Sequence, residues 1–187
     1  MRRLCVGAVV AFLVLTGAGL VGPGPAMADT LSVSVDIPVV YSFSDGNLQD
    51  ASASGILIGV QLPLFANLGL ESYQVSGQAQ LPAPLSPAPF EYDVLMVDLF
   101  LELPFPAANL VLGAGLGQGK FDTVPASGAI GTATLTQLYF SLGIPFAGVF
   151  DGHVGYHRIF GEADIVGSSS KVNLDAGMAT AGVKLGF

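Results

Sequence analysis

Leu31-Ser32-Val33-Ser34-Val35-Asp36-Ile37-Pro38-Val39-Val40-Tyr41-Ser42-Phe43 alternates over thirteen residues. Its odd positions are all apolar and its even positions are mostly polar, the period-2 pattern of a strand with one greasy and one polar face. Thirteen residues is long for a strand in a soluble protein, but it suits a tilted strand that crosses a bilayer and overhangs it.

Outward from this stretch a repeat appears. Leu62-Pro63-Leu64-Phe65, Leu103-Pro104-Phe105-Pro106 and Ile144-Pro145-Phe146-Ala147 recur every 41 residues, and a further step lands on Leu185-Gly186-Phe187 at the end of the chain. Proline removes a ladder donor, so each motif is expected to end strand pairing. A unit of 41 then holds one strand out, a loop, one strand back and a short turn, and four units make eight strands. The returning strands keep their apolar face: Ile56, Ile58, Val60, Leu62; Leu95, Val97, Leu99, Leu101, Leu103; Leu138, Phe140, Leu142, Ile144; Ala179, Ala181, Val183, Leu185, Phe187. Outgoing strands read as roughly 68–76, 109–118 and 149–159. The intervening stretches 44–53, 77–91, 119–132 and 161–173 collect Gly, Ser, Asp, Asn and Pro, as loops do. In a bilayer every backbone polar group needs a partner, so such strands cross only as a closed sheet. The fold class is therefore all-β: a closed, antiparallel, up-and-down transmembrane barrel of eight strands, with short periplasmic turns and longer extracellular loops.

Composition agrees. The 187 residues are 51% hydrophobic and 11% charged, with 25 Gly and no Trp. Arg2 and Arg3, the apolar run Cys5 to Val21 and the small-residue site Ala26-Met27-Ala28 have the layout of a secretory signal peptide, so residues 1–28 are expected to be cleaved after Ala28, leaving 29–187 as the barrel domain. The mature chain has no cysteine and sets four basic residues, Lys120, Arg158, Lys171 and Lys184, against 14 acidic ones. That balance excludes nucleic-acid binding, and the lack of cysteine excludes disulfides and thiol chemistry. No cofactor or metal motif is visible.

The last strand, Gly177 to Phe187, alternates apolar residues and ends in an aromatic. With the signal peptide and the eight amphipathic strands, it makes the chain resemble the small outer-membrane barrels of the OmpA/OmpX type. The resemblance implies a Gram-negative source, a place in the cell outer membrane among its lipid and lipopolysaccharide, and recognition by the outer-membrane assembly machinery through Val183, Leu185 and Phe187. It implies no particular activity, because one fold hosts many. A non-enzymatic structural or surface-interaction role with a largely plugged lumen is expected first, then a conduit or binding protein for a small apolar solute, then a lipid-modifying enzyme.

By parity, Asp36, Glu71, Asp98, Glu102, Asp151, His153 and Lys184 face the lumen, where an unpaired charge costs several kcal/mol. Lys184 is expected to bridge Glu102 or Asp151. His153 and His157, four residues apart on a strand, lie about 13 Å apart and cannot share one ion. If the turn centres on Ala147, Ser141 stands opposite His153 with Asp151 nearby, a Ser/His/Asp group by residue type. It is the only catalytic candidate, placed where a lipid has no entry. Gly113, Gly115 and Gly117 leave room for bulky neighbours, with Phe100 set opposite Gly113. Tyr41, Phe43, Phe65, Tyr92, Phe105, Phe146 and Phe160 are expected to form aromatic girdles.

Overall fold

A computed structural model describes residues 31–62, 67–80, 87–105, 108–123, 130–147, 149–164 and 171–187. The expected signal peptide lies outside them, as do Pro63 and Phe65. The chain forms strands β1 (Ser32–Phe43), β2 (Leu48–Gln61), β3 (Asn67–Ala79), β4 (Ala88–Phe105), β5 (Ala108–Thr123), β6 (Ala133–Ala147), β7 (Phe150–Asp164), β8 (Lys171–Asn173) and β9 (Ala176–Gly186). Each strand pairs antiparallel with its neighbours, and β9 pairs with both β7 and β1, so the sheet closes on itself. Strands β8 and β9 lie along the same edge of β7 and together make its eighth staff. At their junction Leu174 donates its N–H to the Gly161 carbonyl (2.8 Å), and the Asp175 carboxylate accepts from the Gly161 N–H (3.1 Å). Closure leaves no free sheet edge around most of the wall, as a bilayer demands.

The strands are longer than the alternation suggested, and the connections correspondingly shorter. Those at the end away from the termini span 44–47, 80–87, 124–132 and 165–170. The expected loop stretches 48–53, 77–79, 88–91, 119–123 and 161–164 are strand. The reason is visible along β4, which has 18 residues. At about 3.3 Å per residue that is close to 60 Å, whereas 9–11 residues suffice to cross. In its lower part, nearer the termini, Leu95, Val97, Leu99 and Leu101 point outward and are exposed, while Asp98 points inward and is buried. In its upper part the faces exchange: Phe90, Tyr92, Val94 and Met96 are buried inside, and Glu91 and Asp93 stand outside. The same exchange recurs on β6, between Leu135 and Gln137 inside, and on β7, between Ile159 and His157 inside. The barrel has two storeys. The lower is apolar outside and polar inside; the upper is polar outside and apolar inside, like a water-soluble barrel. Polar outward residues hid the upper strands among apparent loops.

The upper interior is packed with rings. Tyr41 and Tyr92 hydroxyls hydrogen-bond at 2.7 Å, Tyr92 stacks on Phe121 with centroids 5.1 Å apart, and Phe43 meets Phe90 edge-on at 5.7 Å. Val75, Met96, Leu135, Ile159, Leu174 and Met178 complete this core with no solvent exposure. Tyr41, Phe43 and Tyr92 therefore belong to the core and not to a girdle. In β1 the cause is a bulge between Pro38 and Val40, which leaves Val39 and Val40 both exposed and reverses the parity beyond them. Phe105 and Phe146 are exposed at the lower end, joined by Phe150. Phe160 is exposed in the upper part, with the Arg158 guanidinium 5.4 Å from its ring centre.

The prolines act differently from the expectation. Pro104 pairs with Asn109 and Pro145 with Asp151, and pairing continues to Phe105–Ala108 and Ala147–Phe150. A shift in register beside Pro145 accommodates the missing donor. One seam is open. Strands β1 and β2 pair from Ser32–Gln61 to Asp36–Leu57 and not above. Beyond it β1 carries Pro38 and its bulge, and β2 carries a second bulge with Asp50 at φ 51°.

The two storeys are expected to respond differently to truncation. Leu135→Ala should destabilise the barrel by about 2–5 kcal/mol, because it empties a close-packed core. Leu138→Ala, on the exposed outer face of the same strand, should cost clearly less, because lipid refills the space. Urea unfolding of both variants in lipid vesicles checks the difference.

Candidate functional site in the barrel lumen

The lower storey places polar inward residues of all eight staves in one chamber. Parity brings them in, and the register decides who meets whom. At the lower end Lys184 of β9 reaches across the barrel, its Nζ 2.6 Å from Glu102 Oε1 on β4 and 3.0 Å from Asp151 Oδ2 on β7. Asn109 Nδ2 donates to the same Asp151 oxygen at 2.8 Å. All three charged side chains are more than nine-tenths buried, so each charge depends on the others for the solvation it has lost.

Higher up a second layer forms around Gln137 of β6. Its Nε2 donates to Glu71 Oε1 (2.8 Å) and to Asp98 Oδ1 (2.6 Å), and its Oε1 lies 3.2 Å from His157 Nδ1. His157 is also 3.3 Å from Glu71 Oε1, and its ring stacks on Tyr139 at 4.7 Å. Tyr139 fits because β5 opposite it is glycine: a methyl group on Gly113 would collide with the Tyr139 ring. Phe100 does pair with Gly113 in the β4–β5 register, but the ring over that glycine comes from β6. Between the two layers His153 Nδ1 faces Asp36 Oδ1 at 3.6 Å.

The Ser/His/Asp group is not assembled. His153 stands opposite Gly143, and Ser141 opposite Gly155, two residues from the expected register. Strand β6 runs to Ala147 and β7 begins at Phe150, so Ala147 is still strand. Asp151 is committed to Lys184 and Asn109, and His153 faces Asp36. Ser141 lines the chamber and completes no relay. Among the described residues no three His, Asp or Glu side chains are grouped to hold a metal ion. Space left between the layers amounts to about 60 Å³, bounded by Asp36, Glu71, Asp98, Tyr139, His153 and Lys184 among others. That is room for a few waters. Outside the membrane band, Lys171 pairs with Glu162 at 2.8 Å, and that carboxylate holds its ammonium above the usual lysine range.

Parity found Asp36, Glu71, Asp98, Glu102, Asp151, His153 and Lys184, and the structure brings them together with Asn109, Gln137, His157 and Thr180. Of these additions Gln137 and His157 stood on inward positions by parity; only the closed barrel, in which both reach Glu71 Oε1, shows that they meet that residue from across the lumen.

The closed eight-stranded barrel has solved counterparts. Neisserial surface protein A (NspA) superposes with a TM-score of 0.51 at 14% identity, over 87% of this chain and 100% of that one. The outer membrane protein OprG from Pseudomonas aeruginosa gives 0.50 at 14% identity, over 86% and 96%. The fold is that of the small eight-stranded outer-membrane barrels. No family model matches the sequence, and no curated protein matches it. Within this fold the buried triad of Lys184, Glu102 and Asp151 ties three staves that are distant in sequence.

Removing Lys184 strands two carboxylates. Lys184→Met is expected to destabilise the barrel by about 3–5 kcal/mol, and adding Glu102→Gln should restore part of the loss. The temperature at which the folded, fast-migrating form disappears on gels reads both effects.

Proposed function

We propose that the protein is an integral protein of the bacterial outer membrane, non-enzymatic, whose barrel anchors surface connections and carries no ion current. The observation that supports this most is the exchange of faces inside the barrel. A continuous pore needs polar residues along its whole length, yet above Glu71 and Asp98 the interior turns to buried Tyr, Phe, Met and Leu side chains. An ion in the lower chamber meets a core that offers it no solvation. The upper storey stands in water with Glu91, Asp93, Arg158 and Glu162 on its outer wall, a raised platform for whatever the connections 44–47, 80–87, 124–132 and 165–170 meet. Outer-membrane lipid surrounds the lower storey and lipopolysaccharide its upper rim. The signal peptide 1–28 directs export, and both mature termini face the periplasm.

The second reading, a conduit for a small apolar solute, is favoured by the open seam between β1 and β2. There Ile37, Val39 and Val40 are exposed beside strands that do not pair. It ranks second because the interior behind the seam is filled.

Planar-bilayer recording separates the readings. The parent barrel is expected to show no steady conductance, and Phe90→Ala with Tyr92→Ala should introduce one; steady current through the parent contradicts the sealed barrel. On whole cells, an impermeant thiol reagent should label Asn47→Cys and leave Leu62→Cys untouched until the outer membrane is breached.

Val183, Leu185 and Phe187 are proposed as the segment that the assembly machinery reads. Replacing Phe187 with Asp should leave the chain in the periplasm, degraded or aggregated. Normal amounts of folded protein in the outer membrane would exclude that role.

A further inference from the structure

The lumen carries more negative charge than its own residues balance. Five carboxylates lie there, Asp36, Glu71, Asp98, Glu102 and Asp151, and Lys184 is the one lysine or arginine among the described lumen residues. Lys184 is engaged by Glu102 and Asp151. Asp36, Glu71 and Asp98 are left with only His153 and His157 as groups able to be positive, and two imidazoliums cannot neutralise three carboxylates. A second observation points to the same corner. Among the described residues, Glu71 Oε2 is the one buried side-chain polar atom without a hydrogen-bond partner, on a residue only 2% exposed. Glu71 borders the chamber beside Asp98, and Gln137 draws both carboxylates to one amide nitrogen.

We propose that this corner binds a hydrated divalent cation of the magnesium or manganese kind, with Glu71 and Asp98 as its carboxylate ligands. Such ions take oxygen donors, use one or two carboxylates, and keep several waters. That matches what is present: two converging carboxylates, no group of three His, Asp or Glu side chains among the described residues, and about 60 Å³ of space for a few waters.

Mn²⁺ serves as the probe, because its electron paramagnetic resonance signal weakens on binding. The full chain, folded in detergent micelles, is expected to bind one Mn²⁺ saturably and to release it to excess Mg²⁺. Glu71→Gln and Asp98→Asn should each weaken binding at least tenfold, and Glu162→Gln, on the outer wall, should leave it unchanged. Absence of saturable binding by the folded parent overturns the proposal. Binding lost in Glu162→Gln but kept in Glu71→Gln also overturns it. Should Glu71→Gln not fold, nuclear magnetic resonance of the parent decides. Mn²⁺ must broaden the ring protons of His157 and Tyr139 at substoichiometric ratios, and broadening confined to residues near Glu162 and Lys171 refutes the site.

Discussion

A strand that crosses a bilayer and continues into water must exchange its two faces at the membrane surface. Side chains alternate in and out with a period of two, so the exchange cannot come from turning the strand over without breaking the ladder. It comes from the residues: Asp93 to Leu95 outside and Met96 to Asp98 inside on β4, Arg158 to Tyr156 outside and Ile159 to His157 inside on β7. On β1 a bulge at Pro38 does part of the work by moving Tyr41 and Phe43 inward. Everything else depends on that exchange. The upper storey has a hydrophobic core, which supplies stability as in a soluble barrel. The lower storey gains no such term inside, and is held by its closed ladder, its lipid contact and its buried polar layers.

Those polar layers trade stability for specificity. Lys184 between Glu102 and Asp151 offsets only part of the cost of burying three charges, yet it fixes how β4, β7 and β9 stand around the lower rim. Gln137 does the same for β3, β4 and β7 with a neutral amide that donates to two carboxylates and meets an imidazole. Each arrangement joins staves far apart in the chain, so each is satisfied only when the whole barrel has closed. The glycines of β5 are the counterpart of this crowding: Gly113 leaves the room in which Tyr139 stacks on His157.

Much of this was legible in the chain. The 41-residue interval of Leu-Pro and Ile-Pro pairs marked the three turns to within a few residues, because the short lower turns leave little freedom in strand length. The lumen carboxylates followed from parity alone, since an even period admits only two faces. Three features were not legible. Polar outward residues such as Gln78, Glu91, Lys120 and Glu162 read as loop, because a strand outside the membrane needs no apolar face toward its solvent. The bulge in β1 turned Tyr41 from an outward to an inward residue, and no local residue preference announces where a bulge falls. The β6–β7 register, which parts Ser141 from His153, hinges on whether Ala147 ends a strand or begins a turn, a difference of one residue that moves every partner by two.

The exchange of faces can be measured strand by strand, because the chain contains no tryptophan and a single one reports without background. Tryptophan placed at Glu91, Asp93, Val97 or Leu101 of β4, in vesicles made with brominated lipid, samples the outer wall at four heights. Strong quenching at Val97 and Leu101 with little at Asp93 and none at Glu91 is the expected result. Equal quenching at all four positions would place the upper storey inside the bilayer and contradict the two-storey barrel.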